Sequence, residues 1–268
     1  MSTTTASPTL HADVPTPMRS RPTSLATLSA VELRKAVDTR SGRWLLIVVG
    51  VLALGAAAIG AFAVSSDART FETVSQLAFN FVGLVLPVVG ILMMTSDWSQ
   101  RSALTTFALT PRRSRVLVVK LVGALAIAVA GWAVAFLAAA LGTAVASRPA
   151  GFPAEQVWGL TAGRVLGPLL WMVLTTMLGV AFGLAFLTSA AAIVLTFVLP
   201  LAWTILSSLV TVLREHVQAW LDTGTSWNHL LDNDLSGQHW AQILTTTVVW
   251  VLLPGTIGAY RMLTREVS

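Results

Sequence analysis

The chain has 268 residues, of which 55% are hydrophobic and 11% charged, with a formal net charge of +5 and no cysteine. That charged fraction is less than half of the roughly one quarter typical of soluble domains, which argues against an ordinary soluble fold. The missing cysteines exclude a disulfide framework and a thiolate metal site. An isoelectric point near 11 does not indicate nucleic acid, because the cations sit in short segments beside apolar runs and no basic face interleaved with aromatics exists.

Taken in chain order, residues 1–23 are rich in Ser, Thr and Pro and lack an apolar core, so they read as a disordered cytosolic tail. No hydrophobic stretch follows until Trp44, which argues against a signal peptide. Residues 24–43 predict an interfacial elbow helix. Ser24 is its cap, and Ala26, Ala30, Leu33 and Val37 recur on one apolar face, with Glu32, Arg34, Lys35 and Asp38 elsewhere.

Six spans follow, at 44–64, 74–95, 116–146, 165–187, 190–212 and 241–260, each long enough to cross a bilayer as a helix. The third is long enough to tilt. Residues 165–213 form an uncharged run of 49 residues. As one helix it would be about 74 Å long, against a hydrocarbon core of ~30 Å. It must therefore cross twice, and Thr188 and Ser189 are the most polar point near its middle. The six-span membrane body is thus 44–260, and 261–268 is a short cytosolic tail.

Between the second and third spans lies a charged island, 97–115, closed by Lys120. Within it, 98–109 predict a short helix, with Ala103 and Phe107, and Leu104 and Ala108, making an apolar strip. Pro111 stops that pattern, and Arg112, Arg113 and Arg115 return to headgroup level. Inserting Arg101, Arg112, Arg113, Arg115 and Lys120 into a bilayer centre would cost on the order of 12–17 kcal/mol, so the island stays outside.

Two loops lie on the other side. Residues 147–164 contain helix breakers Pro149, Gly151 and Pro153, then Trp158 as an interface anchor. Residues 213–240 predict one or two short amphipathic helices with Trp at the interface. Of the 17 cations, only Arg69, Arg148, Arg164 and Arg214 fall on this side. The opposite side, holding both termini and the island, is therefore cytoplasmic, with Arg34, Lys35, Arg43, Arg112, Arg113 and Lys120 as topology anchors. An even number of spans requires both termini on one side.

No catalytic residue set is present, so the chain is not expected to be an enzyme. No histidine lies in a span. His229, Asp232 and Asp234 offer ligand atoms, but their spacing fits no zinc signature, and a solvated polar helix accounts for them; no metal site is expected. The lysines Lys35 and Lys120 both lack a preceding Gly, so there is no Walker A loop. Gly159, Gly163, Gly167, Gly179 and Gly183 recur every fourth position in two runs, a pattern that suits close helix packing within the chain or between copies.

Asp97 and Trp98, Arg101, Leu104, Thr105, Thr106, Phe107, Leu109, Thr110, Pro111, Arg115 and Lys120 together resemble the signature of type-2 ABC exporter permeases. The segment Glu32, Leu33, Arg34, Lys35 is similar too, and the layout matches along the whole chain. Asp97 stands where that family more usually has Glu. The resemblance implies an all-α membrane protein of six transmembrane helices with an interfacial elbow helix, a cytosolic coupling helix between spans two and three, and short outer helices before span six. It also implies that residues 97–111 and Arg115 dock on a separate ABC-type ATPase that binds ATP and Mg. A second permease subunit, the same chain or a paralogue, would complete an exporter in the plasma membrane. The cargo would be an amphiphile: drug, antibiotic, lipid or peptide. The alternative is an ion-coupled secondary transporter or channel acting without an ATPase, which the scarcity of ionisable residues at membrane depth disfavours.

Overall fold

A computed structural model describes residues 27, 31, 34, 38–65, 69–99, 113–147 and 157–264. Among them no strand occurs. Helices α1 (Arg40–Phe62), α2 (Phe71–Ser99), α3 (Arg113–Ser147), α4 (Ala162–Phe186) and α5 (Ser189–Leu209) come first. Three short helices follow, α6 (Thr211–His216), α7 (Gln218–Leu221) and α8 (Thr223–Leu231). Then α9 (Gly237–Thr247) runs through a π-turn (Val248–Leu252) into α10 (Leu253–Thr264). Six of these rods are long and apolar enough to cross a membrane, the last being α9 through α10, so the protein is a multi-pass membrane protein.

The predicted break inside the long apolar run falls where its polarity rises. Leu187 adopts φ 57° at the end of α4, and Thr188 is the extended cap residue of α5. The sixth span departs from a plain helix. Pro254 has no N–H, and its ring crowds the carbonyl four residues earlier. The π-turn immediately before it widens the backbone and relieves that crowding.

The centre of the bundle is α2 against α4. Their apolar windows are 61% and 67% buried, against 33% for α1 and α3 and 17% for α5 and the last span. Missing Cβ atoms create the seam. A Cβ on Gly179 would stand 2.1 Å from the Pro87 carbonyl oxygen, and one on Gly90 2.8 Å from the Thr176 carbonyl oxygen. Gly83 receives the ring of Trp171, and Gly183 faces Ile91 and Met94. Both glycine runs therefore serve packing within the chain, since Gly163 meets Asn233 and Gly167 meets the Leu230 carbonyl of α8. Gly159 instead occupies a turn at φ 42°.

These pairings fix direction. Glu72 at the start of α2 meets Arg164 at the start of α4, at 2.6 Å. Thr95 near the end of α2 meets Ser189 at the start of α5, at 2.7 Å. Gly123 packs on Met93 and Gly131 on Leu86, so α3 runs against α2. Gly255 packs on Ala181 and Gly258 on Leu184, so α10 runs with α4. The start of α1, the end of α2, the start of α3 and the end of α10 thus share one end of the bundle. Helices α6, α7 and α8 cover the other.

Candidate functional site

Two regions collect polar groups: the seam where α2 and α3 meet the island, and a cleft beneath the short helices.

At the island seam, α2 holds Asp97 and Trp98 in its final turn and α3 begins at Arg113. Both helices outrun the bilayer. At 1.5 Å per residue, the 29 residues of α2 reach about 44 Å and the 35 of α3 about 52 Å. Lys120 lies between the two helices and is only 1% exposed. Its Nζ donates to the Met93 carbonyl at 2.7 Å and contacts Ser96 Oγ at 3.5 Å. The sequence places Lys120 with the water-facing cations, whereas protein oxygens solvate it here. Thr95, also buried, donates back to the Ile91 carbonyl at 2.9 Å beside its Ser189 contact, which brings α5 to the same seam.

Of the other expected site residues, Arg101, Leu104, Thr105, Thr106, Phe107, Leu109, Thr110, Pro111 and Arg112 lie outside the described residues, as does Lys35. Arg115 is half-buried on the first turn of α3. Arg34 is exposed and pairs with Asp38 at 3.4 Å, and Arg43 donates to the Asp38 carbonyl at 3.0 Å. The positions described within 24–39, namely 27, 31, 34 and 38, are helical apart from the bend at Thr39. Thr39 caps α1 through the Gly42 N–H.

The second region is a cleft of about 260 Å³ between α2, α4, α5 and α8. Asn80, Trp171, Thr196, Pro200, Trp227 and Asn228 are among its lining residues. Its wall is mainly apolar, and two of its lining residues, Thr196 and Trp227, carry a buried polar atom without a hydrogen-bond partner among the described residues. Such atoms cost free energy unless a guest or a water satisfies them. An apolar wall with a few donors and acceptors suits an amphiphile.

The roof of that cleft differs from the amphipathic helices expected at the lipid interface. Trp227 is 2% exposed and Leu230 fully buried, because α8 lies on α4 where Gly167 leaves room for its backbone. A buried polar knot fixes this roof. Asp222 caps α8 by accepting from Thr225 N at 2.7 Å, and it also accepts from the Thr204 hydroxyl of α5. Ser226 Oγ donates to the Ala219 carbonyl at 2.7 Å, and Thr246 of α9 meets Ser226 Oγ at 2.8 Å. Trp250 Nε1 donates to the Leu221 carbonyl at 2.7 Å. Nothing in the local sequence marked Asp222 as buried; its position before Thr223-Gly224-Thr225 marks only a cap. Trp158, expected as an interface anchor, stacks on Phe71 at 5.8 Å.

No protein-family model matches the chain, and no curated protein matches it.

Proposed function

We propose that the chain is the membrane subunit of an ATP-binding cassette exporter, coupled through the island to a separate ATPase. The observation that carries this reading is the island seam. An ATPase pushing on a loop can move a transporter only if the loop ends on stiff elements. Here α2 continues to Ser99 and α3 starts at Arg113, so both long helices reach the edges of the island, and Lys120 of α3 donates to the Met93 carbonyl of α2. Helix α2 is also half of the most buried helix pair, so displacement at its end passes to α4, whose other neighbours include α8, α5 and α10. The absence of a Walker A loop in the sequence makes a nucleotide-binding partner necessary for ATP-driven work.

In this reading the island faces the cytoplasm, and residues 97–111 with Arg115 meet the ATPase. The elbow helix lies on the membrane before α1, and a second permease subunit completes the pathway. The cleft beneath α8 supports an amphiphilic cargo, because its wall is apolar and its unpaired groups are few.

The test is purification of the tag-bearing chain from its native membrane. A nucleotide-binding subunit co-purifies with the wild type, and Leu104→Asp or Phe107→Asp, which place a charge on the expected apolar strip, abolishes that association while the chain still inserts. Recovery of the chain without a nucleotide-binding protein, or an association indifferent to both substitutions, overturns the reading.

A further inference from the structure

Polar side chains recur at every fourth position near the start of α2: Glu72, Gln76 and Asn80. On a helix that spacing puts them on one face. The first two have tertiary partners. Glu72 pairs with Arg164 of α4 at 2.6 Å, and Gln76 Nε2 donates to the Asp232 carboxylate, just past α8, at 3.2 Å. Asn80 is exposed and lines the cleft beneath α8. One of its N–H groups donates to the Gln76 carbonyl at 2.8 Å, which steadies the carboxamide against its own helix. Asn80 lies about 14 Å along α2 from Phe71 at 1.5 Å per residue. A polar side chain at that depth of a span is costly to keep in lipid and marks a functional position.

The cleft has a direction. Helices α2 and α4 start at the end away from Lys120, and α5 runs toward that end, so residue number gives depth along each wall. Asn80, with Asn228 of the roof, stands at the shallow end, and Leu178 and Phe197 stand deeper. No charged residue is among the described lining residues. Asp222, next to the lining residue Thr223, already accepts from Thr225 N at 2.7 Å and from the Thr204 hydroxyl. A charged headgroup drawn into such a wall loses water and gains no counter-charge. An uncharged head finds matching groups, since carboxamides both donate and accept. Trp227, on the roof, has a buried indole N–H without a partner among the described residues. An indole N–H only donates, so the group that satisfies it is an acceptor.

From this arrangement we propose that the cleft binds an uncharged amphiphile, held with its polar head outward at Asn80 and Asn228 and its apolar part against Leu178 and Phe197. The cleft volume of about 260 Å³ is below the roughly 300–1,000 Å³ of drug-sized sites, so it takes a single chain or ring system rather than a two-chain lipid. Leu84, 60% exposed on the α2 wall, opens the cleft toward the bilayer. Asn80 and Asn228 are the residues that select the headgroup. The proposal deepens the cargo part of the exporter reading and rests on it for the direction of movement. Binding itself needs no ATPase, so a chain that captures no ATPase yet binds the amphiphile overturns only the coupling.

The experiment places the full chain alone in phosphatidylcholine nanodiscs, free of detergent and of any ATPase. The probes are an alcohol, a quaternary ammonium and a sulfonate built on one alkyl chain, each bearing a photoreactive diazirine. The alcohol labels the chain saturably and unlabelled alcohol competes, while the two charged probes label weakly. A diazirine at the far end of the chain maps to Leu178 or Phe197, and one beside the head maps to Asn80 or α8. N80L and N228L each weaken alcohol binding by about fivefold, the loss expected for one hydrogen bond. T256V removes an exposed hydroxyl of α10 outside the cleft and leaves binding unchanged. Asn80 is exposed, so N80L folds and carries the comparison if N228L does not. Labelling that never saturates, charged probes that label as well as the alcohol, a reversed label map, or an affinity unchanged in N80L overturns the site.

Discussion

Lys120 is enclosed by protein, and a buried amine is tolerated only where oxygens replace the lost water. The Met93 carbonyl and Ser96 Oγ supply part of that replacement. Lys120→Ala removes a buried hydrogen bond and should lower stability in detergent by about 1–3 kcal/mol. Lys120→Met keeps the aliphatic stem and should lose less. Denaturant unfolding of the two variants measures this, and equal midpoints for wild type and both variants contradict the described environment. The sequence could present Lys120 only as the last cation before an apolar run. Whether such a residue faces water or a neighbouring helix depends on which helix lies beside it, and hydropathy along one chain carries no such information. Asp222 repeats the lesson, since its capping role is local and its tertiary partner is Thr204 of α5.

Among the elements, the six long helices were legible because each must bury about 20 apolar residues in lipid, a constraint that acts along the chain. The break at Thr188 was legible for the same reason. The π-turn was not, although Pro254 marks the place, because a proline can also be accommodated by a kink. The short helices were expected in the right region with Trp at the interface; Trp220 is exposed, but Trp227 is buried because the gap at Gly167 in α4 draws α8 inward. Lateral pairing is where glycine placement decides. Gly179→Ala would set a Cβ 2.1 Å from the Pro87 carbonyl oxygen, whereas nothing lies within 4 Å of a Cβ on Gly50. Gly179→Ala should cost about 1–3 kcal/mol by overpacking, and Gly50→Ala should be neutral or gain up to ~1 kcal/mol of helix propensity. Thermal unfolding of the two variants reads the difference; similar behaviour at both positions contradicts the α2–α4 seam.

At the scale of the whole molecule, the two ends of the bundle differ in charge. Arg40, Arg43, Arg115, Lys120 and Arg261 belong to the island end, and Arg69, Arg164 and Arg214 to the other. On the proposed topology, that asymmetry is what turns the island toward the cytoplasm. The chain has no native cysteine, so single introduced thiols report sidedness without background. In intact cells an impermeant maleimide should label Gly237→Cys and leave Ser114→Cys unmodified until the membrane is opened; the reverse pattern inverts the topology. The central claim is that the island meets an ATPase, and a thiol-reactive cross-linker at Ser102→Cys in the native membrane tests it most directly. The account predicts an adduct with a nucleotide-binding subunit whose yield changes when ATP is bound. An adduct yield that ignores nucleotide, or cross-links only to other membrane-embedded chains, contradicts it.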